Sequence, residues 1–132
     1  MRRRPLAVTL GDPAGVGPEI VARAWDALKA EGPAFFVVGD YESVAAAMGT
    51  RVRGGAARRV LAPADVVDVF PTALPVLDQP LRQAVVAGKP SPAHADAVVQ
   101  WIDTAVALTL TGAASAVVTA PVAKAPLYEA GF

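Results

Sequence analysis

The residues best placed to do chemistry sit in two short stretches far apart in the chain. The first is Gly11-Asp12-Pro13-Ala14-Gly15-Val16-Gly17-Pro18-Glu19, and the second is Thr119-Ala120-Pro121-Val122-Ala123-Lys124. Gly15 and Gly17 let backbone approach a bound group without an intervening Cβ. Pro18 suits a first helical position, where no amide hydrogen is needed. The free amides of such a turn form a weak anion site, opposed by the negative charge of Asp12 and Glu19. Lys124 supplies a cation and Thr119 a hydroxyl. A Walker loop is excluded, because no Lys-Ser/Thr pair follows a glycine. The dinucleotide fingerprint is half matched: Gly15 and Gly17 fit, but Ile20 stands where its third glycine belongs. A tight turn with no ligand explains the same glycines, and a solvated loop lysine explains Lys124.

The elements that must hold these residues read as alternating strand and helix. Leu6-Ala7-Val8-Thr9-Leu10 reads as a buried strand leading into the turn. Ile20, Val21, Ala24, Trp25 and Leu28 then recur at helical spacing, with Gly32 as a C-cap. Ala34-Phe35-Phe36-Val37-Val38 is an apolar run typical of a sheet covered on both faces. Asp40 follows it and either caps a helix over Tyr41 to Met48, the preferred reading, or grips a ribose hydroxyl. Arg51 to Arg59 reads as a loop or irregular strand. Arg59-Val60-Leu61, Val66 to Phe70 and Leu74-Pro75-Val76-Leu77 read as short strands, and Pro63, Pro71 and Pro75 suggest edge positions or an excursion from the main sheet. Gly88-Lys89-Pro90-Ser91-Pro92 is a stiff connector into a helix predicted from Pro92 to Thr111, stopped by Gly112. Asp96, Gln100 and Asp103 share its one polar face, so the helix is expected to pack deeply against a sheet or another subunit. His94 in its first turn is expected at the surface. Ala116 to Ala120 reads as a last buried strand, which sets Lys124 just beyond a strand's carboxyl end on the same side of a parallel sheet as the opening turn. Leu127 to Ala130 completes one helical turn capped by Gly131.

Composition bounds the partners. With 132 residues and 54% hydrophobic content, the chain can build one core. Twelve basic and twelve acidic residues cancel, so neither nucleic acid nor a membrane surface is an expected partner. Arg2, Arg3, Arg4, Arg51, Arg53, Arg58 and Arg59 crowd the first half without interleaved aromatics and read as solvated surface. The absence of cysteine fits a cytoplasmic protein, and one histidine without cysteine puts a protein-built zinc site out of reach. No general-base pair, metal set or nucleophile–base arrangement can be assembled. With Phe132 directly after a helix cap, the chain reads as part of a larger active site.

Both stretches resemble a known family. Gly11 to Glu19 resembles the opening motif of the 4-hydroxythreonine-4-phosphate dehydrogenases, which make a precursor of pyridoxal phosphate. Val117 to Lys124, continuing through Leu127-Tyr128-Glu129-Ala130-Gly131-Phe132, is similar to the family's second motif, and Gly88 to Pro92 before a long helix is similar as well. The resemblance implies that residues 1–132 are the amino-terminal α/β portion of a two-domain subunit of the isocitrate/isopropylmalate dehydrogenase kind, a mostly parallel sheet flanked by helices. It implies NAD-dependent oxidation of 4-phosphooxy-threonine to a ketone that loses carbon dioxide, in a homodimer. A divalent metal (zinc, magnesium or cobalt) and the substrate phosphate would be held by residues beyond Phe132. Lys124 and Asp12 carry over as catalytic candidates, and Thr119, Gly15 and Gly17 as substrate-binding candidates. Ala123 departs from the polar residue many members place before the lysine. Relatives acting on phosphorylated threonate-like acids or cyclic dihydrodiols share these motifs. A stand-alone dinucleotide-binding domain using Gly15, Gly17 and Asp40, and an interaction module docking through the long helix, are the rival expectations.

Overall fold

Phe35 to Val38 offer solvent no polar side chain, so the strand they form is stable only with both faces covered. The computed structural model describes residues 4–132 and meets that demand. Its strands are β1 (Leu6–Thr9), β2 (Phe35–Gly39), β3 (Ala57–Arg59), β4 (Leu74–Asp78) and β5 (Val117–Thr119). They form one parallel sheet in the order β3-β4-β2-β1-β5, with β2 central and buried at every residue.

The helices are α1 (Gly17–Leu28), α2 (Tyr41–Arg51), α3 (Val66–Val69), α4 (Ala95–Leu110) and α5 (Lys124–Glu129). The steps β1 to β2 and β2 to β3 run in one direction across the sheet, whereas β4 to β5 returns in the other. Right-handed crossovers therefore put α1 and α2 on one face and α4 on the opposite face. α1 buries Val21, Ala22 and Trp25, and the Trp25 indole donates to the Phe70 carbonyl at 2.7 Å. Phe70 also meets Phe35 edge-on, with ring centroids 5.1 Å apart. α4 buries Ala95, Val98, Trp101 and Ala105, and Trp101 donates to the Gln79 carbonyl at 3.0 Å. Each large side chain so buried contributes roughly 1.5–3 kcal/mol.

Several expectations needed correction. Val66 to Phe70 is not a strand: a 3₁₀ turn at Pro63–Asp65 leads into α3. Pro63 opens that helical turn, and buried Val66 and Phe70 lie four residues apart on one helical face, so packing overrides β-branched propensity. β4 is neither an edge nor an excursion, although Pro75 is in it. Leu74 donates to Ala56 and Val76 accepts from Val60, so those residues turn toward β3. Pro75 therefore faces β2, where pairing begins only at Val37 and Val76, and its missing amide falls at the ladder's end. β5 is an edge strand rather than a buried one, with Val118 45% exposed, because no strand pairs with its outer side among the described residues. α1 ends at Leu28 with Lys29 as its cap, short of Gly32. α4 follows a 3₁₀ turn at Pro92–His94 and ends before Gly112, which takes φ +85°. Its polar face is exposed as expected, but Val106 and Leu110 are exposed too, so it is covered on the sheet side alone among the described residues. α5 begins at Lys124, three residues earlier than expected. Arg4, Arg51, Arg53, Arg58 and Arg59 are all exposed; Arg2 and Arg3 lie outside the described residues.

Candidate functional site

The chain leaves β1 toward β2 on one side, while β5 arrives on the other. The reversal falls between β1 and β5, and crevices that take ligands in such sheets open at the carboxyl ends flanking that point. Both sequence stretches meet there. Ala120 donates to the Thr9 carbonyl at 3.1 Å, and Asp12 donates its amide to the Pro121 carbonyl at 3.1 Å. Gly11 takes φ +74°, and a Cβ on it would overlap the Pro121 carbonyl oxygen. Gly17 is packed against β1 so closely that a Cβ would overlap the Leu10 carbonyl oxygen. Both are glycines because the backbone leaves no room. Gly15 differs. It is exposed, and a Cβ there would meet nothing nearer than 3.5 Å, so packing does not explain it.

Asp12 is 7% exposed, and its Oδ1 accepts from the Ala14 amide at 2.9 Å. Glu19 pairs with Arg23 at 3.1 Å and with Arg51 at 3.7 Å. The two acids that weaken an anion site in this turn are thus both partnered. Lys124 is the first residue of α5, exposed, three positions past Pro121, so it shares the carboxyl edge with Asp12. Thr119 pairs in register with Thr9 and is exposed on the edge strand. Below the turn, an apolar trough of about 250 Å³ runs between α1 and β5, lined by Leu6, Val8, Ile20, Ala24, Val118 and Thr119 among others.

The segment from Gln79 to His94 has a role the sequence reading missed. Gln79 donates its amide to Gly39 at 2.9 Å, Leu81 to the Asp40 carboxylate at 3.1 Å, and Gly88 to Ala14 at 2.8 Å. The 3₁₀ turn at its end packs on α5. The segment is a strap laid across the ends of β2, β1 and β5 in turn, and it brings Lys89 beside the opening turn. Gly88, at φ +76° before Lys89-Pro90, was its one visible mark.

Asp40 is a helix cap: Oδ2 accepts from the Ser43 amide and hydroxyl at 3.0 and 2.7 Å, and Oδ1 takes Leu81. With both oxygens engaged and the residue 7% exposed, the ribose-gripping role has no carboxylate to use. His94 is buried at 4% exposed, not at the surface, because the 3₁₀ turn presses it inward where α5 also buries Pro126. Its Nδ1 has no hydrogen-bond partner among the described residues. No group of three His, Cys, Asp or Glu among the described residues could hold a metal.

The fold defines a doubly wound parallel α/β unit whose strand order reverses between β1 and β5. Residues 31–132 match the profile of the family described as pyridoxal phosphate biosynthetic protein PdxA, and the chain belongs to that family. It is 55% identical over 132 residues to 4-hydroxythreonine-4-phosphate dehydrogenase of Caulobacter vibrioides, covering 100% of this chain and 38% of the relative. The corresponding Zymomonas mobilis enzyme is 43% identical over 98% of the chain and 37% of its own length. Among solved structures, 4-hydroxythreonine-4-phosphate dehydrogenase from Klebsiella pneumoniae superposes with a TM-score of 0.81 at 32% identity, covering 97% of this chain and 40% of that one. The Burkholderia phymatum enzyme gives 0.86 at 26% identity, covering 99% and 40%. The chain thus spans about 38% of the length of the curated relative it matches at 55% identity.

Proposed function

We propose that this chain forms one wall of the active site of an NAD-dependent dehydrogenase that oxidises 4-phosphooxy-threonine and releases carbon dioxide, in pyridoxal phosphate biosynthesis. The observation that carries the reading is 55% identity, across the whole chain, to a relative bearing that enzyme's name. NAD and a divalent metal belong to the proposal, with ligands supplied by a longer subunit in a cytoplasmic homodimer. No step is assigned to either group through the residues described here.

What this chain contributes is positioning and charge. Lys124 presents an ammonium to an anionic substrate at the crevice. Asp12 holds the opening turn against the β5 loop through its amide and caps Ala14 through its carboxylate. Gly15 leaves open surface for substrate, Gly17 lets α1 start close behind it, and Thr119 offers a hydroxyl on the rim. NADH formation tests the proposal. A subunit of the relatives' full length carrying this sequence is expected to reduce NAD with 4-phosphooxy-threonine and a divalent metal, while these 132 residues alone give none. Preference for a phosphorylated threonate-like acid or a cyclic dihydrodiol would contradict the substrate assignment.

A further inference from the structure

We infer that Asp40 is a positioning residue for the proposed dehydrogenase reaction, acting on the opening turn through the strap; the inference rests on that reading of the function. The Asp40 carboxylate serves two elements at once. Oδ2 caps α2 by accepting from Ser43, while Oδ1 accepts from the Leu81 amide at 3.1 Å. A helix cap needs only the first of these. The second ties down the strap just after its start, where the Gln79 amide donates to Gly39 at 2.9 Å and the Gln79 carbonyl accepts from Trp101 at 3.0 Å. At the strap's other end the Lys89 amide donates to the Val86 carbonyl at 3.0 Å. That turn, with Gly88 at φ +76°, aims the Gly88 amide at the Ala14 carbonyl 2.8 Å away. The Ala14 amide in turn donates to Asp12 Oδ1 at 2.9 Å, and the Asp12 amide to Pro121 at 3.1 Å. Pro121 stands three residues before Lys124, so the strap and these bonds join the end of β2 to both candidate stretches.

Two further observations point the same way. Among the described residues Asp12 and Asp40 are the buried carboxylates, and each accepts from a loop amide at the carboxyl edge, Ala14 or Leu81. Burying a carboxylate is unfavourable unless its bonds are strong, and bonds to an ionised acceptor are the strong ones. Both are thus placed where loop backbone must be held firmly. The turn also needs outside support. Gly15 is exposed and in contact with little, whereas Ala14 beside it is buried with its amide and its carbonyl both bonded. The strap supplies the carbonyl's bond. Misplacing a substrate-holding group by about 1 Å costs on the order of 100-fold in rate, so an anchor of this turn governs turnover as well as stability.

A double-substitution cycle tests this in a subunit of the relatives' full length carrying this sequence, read by steady-state kinetics and by amide hydrogen exchange. Asp40→Ala releases the strap near its start. Gly88→Ala acts at the other end: its Cβ meets nothing within 4 Å, so the change strains only the positive-φ backbone that aims the amide. Each is expected to lower kcat/KM for 4-phosphooxy-threonine by about 10-fold, and the double variant by little more than either alone, because both release the same turn. Ser43→Ala removes the hydroxyl bond to Oδ2 and leaves the strap bonded, so it should lower the melting temperature without changing kcat/KM. Asp40→Ala should also quicken exchange at the Leu81, Gly88 and Ala14 amides by about 10-fold, and Ser43→Ala at none of the three. Multiplicative losses in the double variant, an equal loss with Ser43→Ala, or a rise in KM for NAD alone would overturn the inference. Should Asp40→Ala not fold, Gly88→Ala reads the same line: faster exchange at Ala14 supports it and unchanged exchange overturns it. Exchange needs no turnover, so absence of NADH formation contradicts the dehydrogenase reading alone, and an unchanged exchange pattern contradicts the positioning role alone.

Discussion

The two margins of the sheet are built to different ends. At the β3 margin, Arg59 donates to Asp78 at 3.1 Å and to Glu42 at 3.3 Å, and lies over the Tyr41 ring at 3.8 Å. Asp78 also accepts from the Tyr41 amide at 2.8 Å, and the Tyr41 hydroxyl donates to Ala57 at 3.2 Å. The Arg59 guanidinium is held above its ordinary pKa, chiefly by the hydrogen bond it donates to Asp78 and, against desolvation, by the charges of Asp78 and Glu42. At the β5 margin, Thr119 and Val118 are open and Lys124 has no carboxylate partner among the described residues. The Arg59 cluster, whose charges satisfy one another, is structural. The β5 margin, with Lys124 left over beside a glycine that packing does not require, is where we propose that substrate sits.

Substitutions can break that contrast or sharpen it. Gly17→Ala should do most damage, roughly 3 kcal/mol or more in urea unfolding, because its Cβ meets a backbone carbonyl that cannot yield. Gly15→Ala should stay within about 0.5 kcal/mol, and a large loss there would make Gly15 structural after all. Asp40→Ala should cost about 2 kcal/mol, since α2 loses its cap and the strap its anchor. Faster hydrogen exchange at Leu81 would confirm the strap's share. Arg59→Gln should be mildest, lowering the melting temperature slightly and less so in high salt, because Arg59 and Glu42 are solvent-exposed and Asp78 only half-buried. A guanidinium whose folded pKa is raised stabilises the fold below its unfolded pKa and loses that contribution only as pH rises through the folded value. Both lie far above neutrality, so the difference from wild type due to Arg59 ionisation should be flat from about pH 6 to about pH 9. A marked slope there would mean that the partners titrate with it.

How much of this was legible depends on how local the signal is. Phe35 to Val38 announce a buried strand without help, and Asp40 straight after it announces a cap. The opening turn and the Thr119–Lys124 stretch were visible because each is a short run of unusual residues after a strand. Long-range pairing was not. Pro75 argues against an inner strand until the direction of its neighbours' hydrogen bonds is known, and Val66 to Val69 fit a strand until packing of Val66 and Phe70 on one side makes them helical. His94 reads as polar surface because only the fold shows the 3₁₀ turn pressed against α5. The strap was hidden most completely. Its anchors on Gly39, Asp40 and Ala14 bind partners more than thirty residues away, so nothing in its own sequence names them.

The most direct test is the turnover of Lys124→Ala in a subunit of the relatives' full length carrying this sequence. The account predicts that kcat/KM falls by about 100-fold or more with an unchanged melting temperature. An unchanged kcat/KM would make Lys124 a solvated helix-start lysine and would contradict the crevice at the β1/β5 edge.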